Sequence, residues 1–294
     1  MTPRHIWVDG RLMPADGPHL SAFDRGFQLG DGAFETLRAR GGRAAELDRH
    51  LARLRHSTEG LEIELPPGAP SGIAHGIEDL LAVEKLDGPD GDAAIRITVS
   101  RGPIMSRGLI PADESTQPTI VIQVWPVTPP PAGHIEQGIR LVSSSVRRDP
   151  SNPLAALKTT SRVDYVFARL EARHAGADDA LFLTIDGHLS EATTANVFAV
   201  RGDELATPSL DCAILPGTTR DWILAWAPGV GLRAIEGRLF PADLASADEA
   251  FLSSSVAGIL PVTSFDGRPI GSGMPGPWTL RARLDREAFI RGGG

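Results

Sequence analysis

The chain has 294 residues, of which 41% are hydrophobic and 22% charged, and its formal net charge is −8. This composition is typical of a globular protein, and the negative charge argues against binding of nucleic acid or anionic membranes. A single cysteine excludes an intrachain disulfide and a cysteine metal cluster, which favours a reducing compartment. The start MTPRHIWVDGRL lacks the apolar core of a signal peptide, so we expect a cytoplasmic protein.

Two tight hairpins and two strands are predicted in the first part of the chain. IWVDGRLMP reverses at Asp9-Gly10 and FETLRARGGRAAEL at Gly41-Gly42, and both pairs are typical of hairpin turns. AAIRITVS and TIVIQVWPV are rich in β-branched residues, which favour strands.

Two helices are predicted between the second hairpin and these strands. Leucines recur at helical spacing after Asp48, the expected N-cap, and the pattern ends near Gly60. A second helix is predicted from Ser71 to about Lys85.

The proline-rich stretch PVTPPPAG, residues 126–133, predicts an extended linker, because prolines interrupt both helix and sheet. We therefore expect an N-terminal domain over residues 1–125 and a C-terminal domain over residues 134–294.

The C-terminal part predicts strands and helices in irregular alternation. After the strand IRLVSSSV, Ser161 and Asp164 form a capping-box pattern for a helix that ends near Gly176. The apolar stripe of this helix is Val163, Val166, Phe167 and Leu170. A strand, a turn at Asp186-Gly187 and another strand follow, then the helix RDWILAWA, the strand and turn EAFLSSSVAGILPV and the helix TLRARLDREAFI. The whole pattern favours an α+β, or mixed α/β, fold over a doubly wound sheet.

Lys158, in LAALKTTSRV, is a candidate nucleophile. The sequence contains two lysines, so arginine supplies 29 − 2 = 27 of the basic residues. A GC-rich genome explains the rarity, and a lysine at this place can also be a solvated helix start. Arginine, however, stays protonated and cannot form a Schiff base, so lysine is required where an amine attacks a carbonyl.

Two clusters of hydroxyl groups are candidate phosphate ligands. LPGTTRD places Gly217, Thr218 and Thr219 at a predicted helix N-terminus, where free N–H groups suit a phosphate or a plain threonine N-cap. FLSSSVAG adds serines at 253–255, near a turn.

Two charged side chains have open interpretations. Glu191 in HLSEATTAN follows a predicted strand and is either a solvated carboxylate or a group that holds a proton on a ring nitrogen. Arg53 in HLARL is either a surface arginine or a phosphate ligand. The sequence contains no P-loop, HExxH or GxSxG motif, and we expect no metal site.

Several segments together resemble the class IV (fold type IV) pyridoxal-phosphate enzymes. This family includes the D-amino-acid and branched-chain aminotransferases, the (R)-amine transaminases and aminodeoxychorismate lyase. The matching segments are DRGFQLGDGAFETLR (24–38), HLARL (50–54), LAALK (154–158), LSEATTANVF (189–198), LPGTTRD (215–221) and SSSVAGILPV (253–262).

The resemblance implies a small N-terminal α/β domain, a larger C-terminal pseudo-barrel domain and a homodimer. It implies that Lys158 forms a Schiff base with pyridoxal 5'-phosphate and that Glu191 pairs with the pyridine nitrogen. The implied phosphate ligands are Arg53, Thr218, Thr219 and Ser255. The implied substrate contacts are Phe34, Thr36, Arg38, Arg107, Val256 and Ala257.

Departures from each branch of the family guide the choice of substrate. Leu29, Thr36 and Val163 stand where branched-chain enzymes have tyrosine, glycine and tyrosine, and the chain's single tyrosine is Tyr165. DRGFQLGDGAFE resembles the D-amino-acid enzymes more closely, although Phe34 replaces their tyrosine.

We therefore predict a transaminase that moves an amino group from a small-molecule donor to a 2-oxo acid. The favoured donors are D-amino acids or (R)-amines. The alternative is a 4-amino-4-deoxychorismate lyase, which releases pyruvate and 4-aminobenzoate, and a branched-chain L-amino-acid aminotransferase is less favoured.

Overall fold

The chain forms two compact units, and the computed structural model describes residues 4–110 and 117–294. The first unit comprises Met1–Thr128, Leu157–Arg162 and Ile290–Gly294, and the second comprises Pro129–Ala156 and Val163–Phe289. Sheets and helices occur in both units, which confirms the predicted mixed α/β fold class.

The elements of the first unit run in the order strand, strand, helix, strand, strand, helix, helix, strand, strand. Their bounds are β1 His5–Val8, β2 Arg11–Pro14, α1 Arg25–Leu29, β3 Gly32–Arg40, β4 Arg43–Ala44, α2 Leu47–Gly60, α3 Ala69–Val83, β5 Asp92–Ser100 and β6 Thr119–Pro126. Both predicted hairpins are confirmed, and both turns have positive φ at each central residue, as this turn type requires: 46° and 88° at Asp9 and Gly10, 57° and 77° at Gly41 and Gly42.

The six strands form one antiparallel sheet in the order β2-β1-β6-β5-β3-β4. Because side chains alternate along a strand, Ile95, Ile97 and Val99 of β5 point to one face and are fully buried with the apolar residues of α2 and α3. The opposite face carries Phe34 of β3 and Arg96 of β5. The sheet therefore has one face in the core and one face that carries aromatic and charged side chains.

The predicted helices are present with shifted starts. Asp48 is not the N-cap of α2; the cap is Glu46, in a left-handed conformation with φ 52°, and Asp48 lies in the first turn, where its charge favours the helix dipole. The helix α3 begins at Ala69 rather than Ser71, because the proline after Ala69 fits the first helical turn.

The segment Leu157–Arg162 belongs with the first unit although the predicted boundary placed it in residues 134–294. The Phe34 N–H donates to the carbonyl oxygen of Lys158 at 2.9 Å, and the Thr160 N–H donates to that of Gly32 at 2.8 Å. These bonds attach the segment to the start of β3, which a linear division of the sequence does not reveal.

The second unit begins in the predicted linker and contains the remaining elements. Their bounds are α4 Ala132–Glu136, β7 Ile139–Arg148, α5 Val163–His174, β8 Asp179–Thr184, β9 Leu189–Ala192, β10 Asn196–Arg201, β11 Glu204–Pro208, α6 Thr218–Trp226, β12 Arg233–Gly237, α7 Pro241–Ala245, β13 Glu249–Ser254, β14 Gly258–Phe265, β15 Arg268–Pro269 and α8 Pro277–Arg291. Glu191 thus lies within a strand rather than after one.

The strands of the second unit form a nine-stranded mixed sheet in the order β12-β11-β10-β13-β14-β7-β8-β9, with β15 paired to β14. One apolar cluster joins these strands to α7, and another packs α6 and α8 against Phe198 and Phe251. The helix α5 buries Ala168 and Ala172 but leaves its predicted stripe exposed, with 77% of Val163 and 57% of Val166 accessible.

Candidate active site

Lys158 is held on both sides of its backbone. Its N–H donates to Ser57 Oγ at 3.1 Å, and its carbonyl oxygen accepts the Phe34 N–H. The side-chain Nζ lies 4.6 Å from the centre of the Phe34 ring. The amine of the predicted nucleophile is therefore placed at the open face of the sheet by contacts within the first unit.

Two arginines lie against the same ring. The guanidinium carbons of Arg96 and Arg162 are 3.9 and 5.0 Å from the Phe34 ring centre. We call Phe34, Arg96, Lys158 and Arg162 the Phe34 cluster. Three positive side chains around one aromatic ring form a strongly cationic surface that attracts an anion.

Arg96 has an unusual electrostatic environment. Its Nε donates to Thr98 Oγ1 at 3.2 Å, and within residues 4–110 and 117–294 no carboxylate forms an ion pair with it. Burial lowers the pKa of the Arg96 guanidinium from its usual value, and the positive charge of Arg162 lowers it further. A half-buried cation without a carboxylate partner is costly and is typical of a site that receives a charged ligand.

Arg53, the predicted phosphate ligand, forms a two-point ion pair with Glu35, in which Nε and Nη2 each lie 2.7 Å from a carboxylate oxygen. His50 Nδ1 lies 2.7 Å from Glu35 Oε2. Burial by itself raises the pKa of Glu35, but hydrogen bonds from Arg53 and His50 lower it to about 2. The guanidinium of Arg53 is thus fixed in place, and its contact with a phosphate stays a prediction.

The two other predicted substrate residues on β3 differ in their surroundings. Thr36 is half-buried on the face of Phe34 and pairs with Arg96 across the strands. Arg38 lies farther along the same face, and its Nε and Nη2 donate to Asp92 at 2.7 and 2.8 Å. Arg38 therefore already has a carboxylate partner, whereas Thr36 lies beside the Phe34 cluster.

Glu191 is buried on β9 in the second unit, and both of its carboxylate oxygens accept hydrogen bonds. The Leu215 N–H donates to Oε2 at 2.9 Å, and the Tyr165 hydroxyl donates to Oε1 at 3.3 Å. Arg148 Nη2 lies 4.0 Å from Oε1. These contacts fix the direction of the carboxylate.

The N-terminus of α6 has the chemistry of a phosphate site. Thr218 and Thr219 are buried in its first turn, and the N-cap Gly217 provides no side-chain cap. A Cβ at Gly217 would lie 2.1 Å from the Asn196 side-chain oxygen, so only glycine fits this close approach. Backbone N–H groups at such a helix start bind anions.

Serine hydroxyls lie next to this helix start. Ser255 Oγ is 3.2 Å from Thr218 Oγ1. The Ser253 hydroxyl is buried and has no hydrogen-bond partner in the described part of the chain. Ser253 is directly opposite Asn196 in the sheet, so the two side chains share the face that meets the α6 N-terminus. A buried hydroxyl beside a helix N-terminus fits a phosphate.

The remaining predicted substrate residues lie in loops. Val256 and Ala257 are half-buried in the turn between β13 and β14. Arg107 is exposed in a loop whose carbonyl groups at Gly108 and Leu109 accept hydrogen bonds from Arg25. We also expect the segment 101–113 to influence specificity, and its residues 111–113 lie outside the described residues.

The structure thus groups the predicted residues into separate sets. Phe34 and Lys158 share one cluster, and Thr218, Thr219 and Ser255 lie together at the α6 N-terminus, whereas Arg38 and Arg53 pair with carboxylates of their own. Sequence reasoning missed Arg96, Arg162, Tyr165 and Arg148. For Arg96, the available signal was the alternation of apolar and polar residues in AAIRITVS, which places this arginine on the polar face of its strand.

Two other types of site find no support in the residues that the structure describes. No group of three or more His, Cys, Asp or Glu side chains is arranged there to hold a metal ion. No described helix combines the length and apolar character needed to cross a membrane.

The chain matches the family model of the class IV amino-transferases over residues 32–265. It is 34% identical to the aminodeoxychorismate lyase of Bacillus subtilis, over 91% of this chain and 88% of that protein. It is 29% identical to the D-alanine aminotransferase of Bacillus licheniformis, over 97% and 96% of the two chains.

Solved structures are similar over the whole chain. A branched-chain amino acid aminotransferase from T.th., solved with pyridoxamine 5'-phosphate, superposes with a TM-score of 0.91, at 26% identity, over 100% of this chain and 96% of that one. The predicted resemblance and fold type are confirmed. The chain therefore belongs to the class IV aminotransferases, a family of enzymes whose cofactor is pyridoxal 5'-phosphate.

Proposed function

We propose that this enzyme is a transaminase that moves an amino group from a D-amino acid to a 2-oxo acid. The observation that supports an amino acid as the donor is Arg96, a half-buried cation without a carboxylate partner among the described residues, which lies on the same aromatic ring as the Lys158 amine. The choice of the D-form rests on the resemblance of DRGFQLGDGAFE to the D-amino-acid enzymes. A substrate carboxylate supplies the missing negative charge.

In this proposal, bound pyridoxal phosphate supplies an aldehyde to Lys158 and a ring that withdraws electrons from the substrate Cα. Lys158 would bind the aldehyde carbon through Nζ with release of water, and Nζ, freed when the substrate amine replaces it, would carry a proton to and from the substrate. Its fixed backbone limits the positions that Nζ can reach, which would restrict proton transfer to one face of the substrate.

Other side chains are proposed to hold the cofactor. Glu191, held in place by its donors, stabilises a proton on the pyridine nitrogen. Thr218, Thr219 and Ser255 donate to the phosphate, and Arg53 adds positive charge there.

The substrate side of the proposal rests on the Phe34 cluster. Arg96 and Arg162 orient the carboxylates of the donor and of the 2-oxo acid, and Thr36 lies beside them. An (R)-amine has no carboxylate and leaves Arg96 uncompensated. We therefore propose that D-amino acids are better donors than (R)-amines.

A donor panel tests the proposal. The holoenzyme is mixed with D-alanine, (R)-phenylethylamine or L-leucine, and loss of the visible absorbance of lysine-linked cofactor is followed. We expect conversion with D-alanine that is restored by a 2-oxo acid. Lys158→Arg is the matched control, because it keeps the positive charge but cannot form the link. An unchanged spectrum with every donor rejects a transaminase.

Two alternatives are tested alongside, one by adding 4-amino-4-deoxychorismate as a substrate and one by the L-leucine arm of the panel. The 34% identity to an aminodeoxychorismate lyase supports a lyase, which releases pyruvate and 4-aminobenzoate without any amino acceptor. Fast conversion with L-leucine instead indicates a branched-chain enzyme, which the residues Leu29, Thr36 and Val163 argue against.

We also propose that the enzyme is a cytoplasmic homodimer. The α5 stripe has the apolar spacing of a buried helix face, yet it is exposed in the single chain; its members are Val163, Val166, Phe167 and Leu170. Exposed apolar patches of this kind mark interaction sites. Sedimentation equilibrium tests the dimer, and a monomer at micromolar concentration contradicts it.

A further inference from the structure

The single tyrosine of the chain contacts a carboxylate of the site. Tyr165 lies on α5, and its hydroxyl is 3.3 Å from Glu191 Oε1. The ring is fixed edge-on against Phe182, with ring centres 5.1 Å apart and planes at 74°. Arg148 covers the ring, with its guanidinium carbon 5.0 Å from the centre. The phenol therefore points at Glu191 from a fixed ring.

Tyr165 does not replace the tyrosine that other family members have at position 163. Successive residues of a helix are about 100° apart, so residues 163 and 165 point in nearly opposite directions. Val163 is 77% exposed, whereas Tyr165 is half-buried and packs against β8. The Tyr165 hydroxyl therefore contacts the Glu191 carboxylate, and it does not occupy the place of a side chain at position 163.

Three parts of the chain supply the charged and polar groups around Glu191. Arg148 of β7 approaches Oε1 and also lies 3.9 Å from Asp164 of α5. The Leu215 N–H, from the loop before α6, binds Oε2. Asp164 competes for Arg148, so the phenol is the neutral donor that keeps Oε1 in one orientation.

We propose that Tyr165 is a positioning residue for Glu191: its hydroxyl fixes the rotamer in which the carboxylate meets the ring nitrogen of the cofactor. This inference rests on the proposed role of Glu191. Without the hydroxyl, Oε1 is free to turn toward Arg148, and the proton on the ring nitrogen is less well stabilised.

Tyr165→Phe tests the kinetic consequence, because it removes the hydroxyl and keeps the ring. We expect kcat for the best donor of the panel to fall about tenfold, with KM changed by less than about twofold. Ser144→Ala is the matched control. It deletes a hydroxyl of β7 that donates to Glu171 of α5 at 2.7 Å, away from Glu191. An active wild type with an unchanged Tyr165→Phe kcat overturns the inference, as does an equal loss in Ser144→Ala.

A spectroscopic readout tests the contact independently of turnover. With tyrosine labelled at its Cζ carbon alone, the holoenzyme gives one tyrosine NMR signal, because the chain has one tyrosine. We expect this signal to shift in Glu191→Gln and to stay in place in Ser144→Ala. A signal that does not shift in Glu191→Gln overturns the inference about Tyr165 but not the proposed function. A wild type without amino transfer or lyase activity overturns the proposed function and this inference with it.

Discussion

Replacement of Arg96 by methionine should separate substrate recognition from stability. Methionine keeps an unbranched stem against the Phe34 ring, where the guanidinium carbon now lies at 3.9 Å, and removes the charge. A hydrogen bond to a charged group contributes about 1.5–3 kcal/mol, so kcat/KM for D-alanine should fall about 10- to 100-fold. For an (R)-amine, which has no carboxylate, kcat/KM should change by less than about threefold.

The free energy of unfolding of Arg96→Met should not fall together with its activity. The positive charge of Arg96 is half-buried, and Arg162 repels it. Loss of a charge without a partner removes a desolvation penalty, so we expect the free energy of unfolding to stay the same or rise by about 1 kcal/mol. Urea unfolding of the two proteins at neutral pH measures this difference.

Arg40→Met is the matched control for this experiment. Arg40 lies on β3 of the same sheet, and its guanidinium pairs with Asp92. Its replacement should leave the ratio of D-alanine to amine activity unchanged. Equal losses with both donors in Arg96→Met would refute the reasoning, and so would a destabilised Arg96→Met protein with an unaltered donor ratio.

Three further predictions concern stability and cofactor affinity. The pKa of Glu35 is lowered from 4.5 to about 2 by its partners on α2, so its contribution, on the order of 3 kcal/mol, is present above about pH 4.5 and is lost as the pH falls toward 2. The difference in unfolding free energy between the wild type and Glu35→Gln should therefore shrink in acid, and a pH-independent difference contradicts this. Ser255→Ala, which removes the hydroxyl 3.2 Å from Thr218 Oγ1, should weaken cofactor binding about tenfold in an absorbance titration, and unchanged affinity places the phosphate elsewhere. Gly102→Ala should cost about 2 kcal/mol or more by urea unfolding, because Gly102 has φ 90° and a Cβ would lie 1.9 Å from the Gln117 carbonyl oxygen; a neutral result contradicts the described backbone.

Local elements could be predicted well because their signals are local. The hairpin at Asp9-Gly10 requires positive φ at both positions, and an Asp-Gly pair is typical of such a turn. The start of α2 could not be read in the same way. Glu46 caps it in a left-handed conformation that its residue type does not favour, and its N–H is bound by the distant Gly294 carbonyl.

The apolar stripe of α5 shows a second limit. Its spacing predicts a buried face, whereas the single chain buries Ala168 and Ala172 instead. Periodicity reports that a helix face is apolar, but it does not report which surface covers that face. The identity of the covering surface depends on packing between distant parts of the chain, or between chains.

The sequence by itself determined the cofactor class, because that chemistry depends on residue types in short motifs. An amine at position 158, a carboxylate at 191 and hydroxyls at a helix start are each readable where they stand. Only the tertiary structure decided what surrounds them. In the sequence, Arg96 is an ordinary arginine of a predicted strand. The pairing of β5 with β3 places it on the Phe34 ring. The proposed recognition of substrate rests on such long-range contacts, because the face on which a side chain meets its neighbours is set by strand pairing and not by the local sequence.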